Sequence, residues 1–352
     1  MESSIKYIKE YDSLRAIAVI FVIISHSFPN SSIIHKMPFG FIGVSFFFVL
    51  SGKLITSILL NAKSSKNTLS NNLKTFYVRR TIRIFPAYYL FLGTCLFLGS
   101  IDMKEHYLYF LSYTQNILFF KTANYAGMLS PTWTLAVEEQ FYLIWPLFIL
   151  LIRKKYLKKA IIACIIISPL FRVFAILLAQ KYNQSSALNL ALMPSNLICL
   201  CIGGLLSLLE SEESVLLTFI YNKFVPFVAL IISLPIIHFT KNGFLVSIMQ
   251  QVLISILSVW TLYSISANKD YFLNKVLKNK ITTYLGKISY GMYLYHTIAS
   301  VLIFKLFGYS FDSKSDIRLF TYNLLSTITV SSISWFLFEK SINSFKKYIS
   351  YE

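Results

Sequence analysis

Charge is what this sequence has least of. Only 14% of its 352 residues are Asp, Glu, Lys or Arg, where a soluble globular chain carries about 25%. With 56% of the residues hydrophobic, that scarcity excludes an ordinary water-soluble domain and leaves an integral membrane protein. Acidic residues are rarer still, 15 against 33 Lys and Arg, for a net charge of +18. Such a balance often marks a nucleic-acid binder, but here the cations gather in alternate loops, as membrane orientation requires, and no nucleic-acid partner is expected. Cysteine is also sparse. Cys95, Cys164, Cys199 and Cys201 all fall in apolar stretches, which excludes a disulfide framework. Cys199 and Cys201, two apart on a helix, point about 200° from one another and make a poor metal pair; no metal is expected. Long polar segments are missing too. The longest loops, about 62–83 and 101–130, are too short for a folded module outside the membrane, and no internal repeat suggests the inverted halves of a transporter.

What is present is a series of apolar windows. They cover 11–29, 40–61, 84–100, 131–152, 158–179, 187–208, 222–240, 244–266, 284–307 and 318–338, each near the length of roughly 17 to 25 residues that crosses a bilayer. The aromatic stretch His106 to Phe120 is short and polar at its middle, so it is expected at the interface or as a re-entrant segment. The first window follows Lys6 and Lys9, but Arg15 inside it and the lack of a small-x-small site after it argue for a retained span rather than a cleaved signal. The expected fold is therefore all-α, with about ten transmembrane helices in a single domain over 1–352. Loop charges give its orientation. Lys63, Lys66, Lys74, Arg79, Arg80 and Arg83, then Arg153, Lys154, Lys155, Lys158 and Lys159, then Lys269, Lys275, Lys278 and Lys280, and finally Lys340, Lys346 and Lys347 fall on the side of the N-terminus. The opposite side holds Lys36, Lys104, Lys121, Lys181, Lys241, Lys314 and Arg318. The asymmetry places both termini in the cytoplasm. One loop runs against it, with Glu210, Glu212 and Glu213, although acidic residues weigh little in the rule.

Two ionisable residues in the first window break its apolar pattern. Arg15 and His26 are eleven apart, which on a helix returns to within about 20° of one face and separates them by about 16 Å. Groups buried that deep are costly and mark functional sites by default. Four successive segments, YDSLRAIAVIFVIISH, GFIGVSFFFVLSG, FYVRRTIRIFPAYYL and WTLAVEEQFYLIWP, followed late in the chain by ISYGMYLYH, resemble in sequence and order the signatures of acyltransferase family 3. The resemblance implies a ten-helix membrane domain that takes an acyl group, commonly acetyl, from cytoplasmic acyl-CoA to a hydroxyl. On that basis the expectation is a bacterial inner-membrane O-acetyltransferase with acetyl-CoA as donor, a lipid-linked or nascent glycan as acceptor and membrane lipids around it. O-antigen, capsule and exopolysaccharide are the first acceptors to consider; peptidoglycan or a small secreted metabolite is the alternative. Some family members carry an added hydrolase-like periplasmic domain, which this sequence is expected to lack. A transporter or flippase for an anionic metabolite is the rival class, opposed by the missing repeat and by the order of the motifs.

The candidate residues follow from chemistry and resemblance together. His26 is a base or nucleophile for acyl transfer, since imidazole does both near neutral pH; the alternative is a histidine tied between helices. Arg15 either pairs with the phosphate end of the donor or holds Asp12. Arg79, Arg80 and Arg83 crowd about one helical face where a donor's phosphates would suit them, and the family pattern favours Arg80 and Arg83. Glu138 matches the family's conserved carboxylate, with Thr134 where serine is usual, and would orient His26 or act on the acceptor hydroxyl. Glu139 points about 100° away and is expected to pair with a cation such as Arg172. Ser51 and Gly52 permit close helix contact or access to the acyl chain. Lys53, where the family usually has an aromatic residue, faces three options: donor phosphate, Glu138 or the interface. Arg172, Trp133 and His296 complete the candidates on the acceptor side.

Overall fold

Helix is the only regular structure among the described residues of the computed structural model. Those residues are 7–28, 34, 37–181, 190–220, 222, 224–226, 228, 229, 231, 243–267, 272–307 and 317–349. The principal helices are α1 Lys9–Ser27, α2 Phe39–Ser64, α3 Leu69–Phe97, α4 Ile101–Leu111, α5 Gln115–Thr122, α6 Thr132–Leu151, α7 Lys154–Lys181 and α8 Leu197–Ser211. After them come α9 Gly243–Ala267, α10 Lys280–Lys287, α11 Ser289–Phe307, α12 Ile317–Ser334 and α13 Lys340–Ser344. Most of the apolar window 222–240 lies outside the described residues, as do Lys6, Lys36, Lys241, Lys269 and Lys314.

Among the described residues, five helical segments are long and apolar enough to cross a membrane: α2, α6, α7, Met193–Ser211 and Leu245–Ala267. The other described windows are helical as well, but polar residues interrupt them. Helix α12 shows why. Its buried face carries Asn323, Thr327, Ser331 and Ser334, while Tyr322, Leu325 and Ile333 are exposed. Polar residues turned inward and apolar ones outward invert the pattern of a helix in water and suit one in lipid. Helix α3 begins well before its window because Thr68 caps it, accepting from the Asn71 amide (3.3 Å). The aromatic stretch forms α4 and α5, of 11 and 8 residues, each too short to span a bilayer.

The chain divides into two compact units interleaved in sequence. The first holds Met1–Tyr11, Ser45–Ser65 and Phe141–Lys278. Within it α8 packs against both α7 and α9. Leu157, Ile161, Ser168, Arg172, Ala175 and Ala179 of α7 recur at steps of three, four or seven residues and form its buried stripe, yet only 22% of its most apolar window is buried. The rest of α7, including Ile166, Leu170, Phe174 and Leu177, is exposed, which fits a helix facing lipid. Helices α2 and α8 meet backbone to backbone. A Cβ at Gly52 would stand 1.9 Å from the Leu200 carbonyl oxygen, and one at Gly203 would stand 2.0 Å from that of Val49. Lys63 closes the end of α6 by donating to the carbonyls of Ile149 (2.7 Å), Leu150 (2.9 Å) and Ile152 (2.5 Å), the acceptors that a helix terminus leaves over.

The second unit holds Asp12–Val44, Lys66–Gln140 and Asn279–Glu352. Helix α11 packs on α12 and α3, and α3 packs on α4. The core between them is aromatic: Tyr88, Phe91, Phe110, Tyr113, Phe119 and Tyr295 belong to one buried cluster, with the Tyr88 and Tyr113 rings stacked at 4.3 Å. Glycine again sets a close approach, since a Cβ at Gly286 of α10 would stand 1.9 Å from the Asp12 carbonyl oxygen of α1.

The α2–α8 contact is testable. Gly52→Ala and Gly203→Ala each drive a methyl into a backbone carbonyl, and overpacking of this kind costs about 1–3 kcal/mol. Both variants are expected to unfold at lower temperature in detergent, whereas Gly93→Ala, with no atom within 4 Å of its Cβ position, should not. Wild-type midpoints for the first two would remove the contact from the account of this unit.

Candidate active site

Most of the candidate residues fall in the second unit. His26 sits in the last turn of α1, where Asn323 of α12 donates to the Oγ of neighbouring Ser27 (3.0 Å) and so ties the two helices beside it. The His26 side chain is exposed, and its ring lies 5.0 Å from that of His296 on α11, tilted by 51°. His296 is fully buried. Its Nδ1 is 2.8 Å from the Tyr293 carbonyl oxygen, and a carbonyl can only accept, so Nδ1 carries the proton. Its Nε2 is buried without a hydrogen-bond partner among the described residues. One imidazole is thus open to a reactant, and a second is held behind it in a defined tautomer.

Helix α11 is anchored to the turn that leads into α6. Thr297 Oγ1 donates to the Met128 carbonyl (2.8 Å), Thr134 Oγ1 to the Tyr293 hydroxyl (2.7 Å), and that hydroxyl to the Pro131 carbonyl (3.3 Å). Thr134, where the family pattern has serine, thus supplies a hydroxyl that joins α6 to α11. Glu138, on the next turn of α6, is partly buried and within electrostatic range of Tyr293. Trp133 is half-buried against the aromatic core.

At the other end of α1, Arg15 donates to Asp12 Oδ1 (2.6 Å). Of its two expected partners, the intrahelical carboxylate is the one it bonds. Arg83 and Arg80 of α3 are close enough to repel it, so the Arg15 guanidinium and the arginines of α3 form one cationic group. Arg80 also lies over the Phe76 ring (5.7 Å), and Arg83 is exposed. Arg79 turns elsewhere and donates to the carbonyls of Lys346 (3.0 Å) and Ile349 in the C-terminal segment. Glu139 lies within electrostatic range of Arg80, and its Oε1 is buried without a hydrogen-bond partner among the described residues.

The remaining candidates belong to the first unit. Arg172 donates to Gln251 Oε1 (3.1 Å) and Ser247 Oγ (2.5 Å). Lys53, buried, pairs with Glu210 at 2.5 Å and lies over the Tyr11 ring. That pairing gives a use to one of the carboxylates that ran against the loop-charge rule. Ser51 Oγ shares a hydrogen bond with the Tyr142 hydroxyl.

Two polar groups of the second unit have surroundings that the sequence reading did not give. Glu339 accepts from Ser334 Oγ (2.8 Å) and lies within range of Arg83, because the stretch Trp335–Glu339 is π-helical and the wider turn carries Glu339 onto the buried face. Tyr290, half-buried on α11, donates to the Ile84 carbonyl (3.1 Å) within range of both Glu138 and Glu139. Tyr290 lies within the ISYGMYLYH segment, which singled out His296 rather than this tyrosine, and no quoted motif contains Glu339.

The chain is 30% identical over 333 residues to a peptidoglycan O-acetyltransferase of Listeria monocytogenes, an alignment covering 83% of this chain and 49% of that protein. It is 30% identical over 331 residues to a Bacillus subtilis protein provisionally named a peptidoglycan O-acetyltransferase, covering 84% and 49%. A Staphylococcus aureus protein provisionally named an O-acetyltransferase is 28% identical over 362 residues, covering 94% and 56%. The chain spans about half the length of these relatives. No solved structure matches it. Residues 8–339 match the acyltransferase domain of acyltransferase family 3, and the chain belongs to that family.

Proposed function

We propose that this chain is a bacterial cytoplasmic-membrane O-acetyltransferase that moves an acetyl group from acetyl-CoA to a hydroxyl of a cell-surface glycan. The observation that carries this reading is the α1 stripe. An exposed imidazole, His26, ends a continuous helix whose other end places Arg15 among the cations of α3. The two positions are separated by about 16 Å along the helix. The phosphates of the donor bind at Arg15, Arg80 and Arg83, and the thioester lies toward His26.

Two routes use the same imidazole. In direct transfer His26 removes the proton of the acceptor hydroxyl as the oxygen attacks the thioester carbonyl. The C–S bond breaks, and the CoA thiolate takes the proton from His26. In the relay a His26 nitrogen bonds the acyl carbon, CoA leaves, and the hydroxyl then attacks the acyl-imidazole to restore the free ring. His296 holds its proton on Nδ1 in either route and braces the His26 ring. Glu138 accepts a hydrogen bond from a second hydroxyl of the acceptor, not the one that attacks, with Glu139 and Trp133 beside it on the acceptor side. The names of the relatives support peptidoglycan as the first acceptor to test, ahead of O-antigen, capsule or exopolysaccharide.

His26→Ala is expected to lower acceptor-dependent CoA release by about 10²–10⁴-fold, the usual contribution of a positioned base, while the unfolding midpoint stays at the wild-type value. Full acetyl transfer by this variant would remove the centre of the proposal. Radiolabelled acetyl-CoA without acceptor separates the routes: label bound to wild type and absent from His26→Ala identifies the relay, and no bound label with active enzyme identifies direct transfer. In cells, deletion of the gene should remove O-acetyl groups from muropeptides measured by mass spectrometry. Unchanged muropeptides with altered surface polysaccharide would move the acceptor there, and solute flux without CoA release would favour transport instead.

A further inference from the structure

Five cations crowd the entry to α7: Arg153 just before the helix, then Lys154, Lys155, Lys158 and Lys159 within it. No acidic residue stands between Glu139 and Glu210 in the chain, and none of the five forms an ion pair among the described residues. Lys154 with Lys158, and Lys155 with Lys159, are four apart on one helix, a spacing at which like charges repel. Other cations of the first unit have partners inside it. Lys53 has Glu210, Lys63 has the carbonyls of α6, and Arg172 has Gln251 and Ser247. The rule that orients membrane helices asks for cations at this end of α7 but not for any particular face.

The face is what the structure adds. From Lys155 and Lys159, steps of three or four residues lead to Ile162, Ile166, Leu170, Val173 and Leu177, so all seven lie on one stripe of the helix. Every one of them is exposed. The buried stripe that runs from Leu157 to Ala179 lies elsewhere on the helix. From Lys159 to Leu170 the helix rises about 16 Å, close to one leaflet, or half of a hydrocarbon core roughly 30 Å thick. Tyr156 is half exposed beside the lysines, and the Lys155 ammonium lies over its ring (4.7 Å), an arrangement suited to the membrane–water boundary.

We propose that this face of α7 is a docking surface for an anionic phospholipid. Lys155 and Lys159 hold the headgroup phosphate, Arg153 and Lys154 add to the positive field around it, and an acyl chain lies along Ile162, Ile166 and Leu170. Order and length both match: the cations come first, and the apolar stripe below them is as long as one leaflet is deep. A zwitterionic lipid offers the same phosphate but carries its own ammonium, which these lysines repel, so the surface selects net negative charge. The lipid supplies the counter-charge that the first unit lacks here. This inference is independent of the reaction the protein catalyses.

The test is native mass spectrometry of the whole protein, titrated in detergent with phosphatidylglycerol or phosphatidylcholine of equal chain length. At low salt the first phosphatidylglycerol is expected to bind about tenfold more tightly, and Lys155→Gln combined with Lys159→Gln should erase the difference. Both lysines are exposed, so the double variant should keep the wild-type unfolding midpoint. Lys104→Gln combined with Lys121→Gln removes the same charge from exposed positions on α4 and α5 and should keep the preference. Salt at about 0.5 M should weaken the preference of wild type by screening. The site is overturned by an unchanged preference in the Lys155 and Lys159 variant, by an equal loss in the Lys104 and Lys121 variant, or by a preference indifferent to salt. Glycerol phosphate, the headgroup without its chains, should bind far more weakly than the lipid. Equal binding would make this a site for soluble anions and overturn the lipid assignment.

Discussion

An ionised side chain on a helix in hydrocarbon must turn inward and find a polar partner, and this constraint governs the placement of nearly every unusual residue in the chain. Arg15 takes Asp12, Lys53 takes Glu210, Arg172 takes Gln251 and Ser247, and Lys63 takes the last carbonyls of α6. Each pairing gives a charge a polar partner, and all but the intrahelical Arg15–Asp12 pair tie one helix to another. Beside these pairings the ring of His26 is exposed, and the Arg15 guanidinium stands within electrostatic range of Arg83 and Arg80.

The same constraint distinguishes the two histidines. His296 is fixed by a backbone carbonyl three residues away and is wholly enclosed. His26 ends its helix beside the Ser27–Asn323 bond and keeps an accessible face. The sequence offered His26 as base or nucleophile and His296 on the acceptor side, and their surroundings differ as well, one ring exposed and the other enclosed.

Helix content and most boundaries were legible in the sequence because apolar windows of membrane length report burial in lipid directly. The Arg15–His26 stripe was legible from helical periodicity, and the motif segments led to Glu138 and the arginines of α3. What escaped depended on distant partners. Nothing local joins Lys53 to Glu210, or Arg79 to the carbonyls of the C-terminal segment. Glu339 was hidden for another reason: a π-helical turn shifts the register by one residue, and a periodicity of 3.6 assigns it the wrong face. Glu139, for which a cation such as Arg172 was expected, lies within electrostatic range of Arg80.

The reciprocal glycines of α2 and α8 also bear on how the protein is made. Gly52 and Gly203 press their backbones against partners about 150 residues away in the chain. A ribosome adding about 5–20 residues per second releases α2 many seconds before α8 exists. During that interval the smooth strip of backbone around Gly52 has only lipid or a substitute helix to lie against. Assembly of this unit must wait for its second half to be synthesised, and a chaperone or insertase that shields α2 in the meantime would be guarding a surface defined by a single missing side chain.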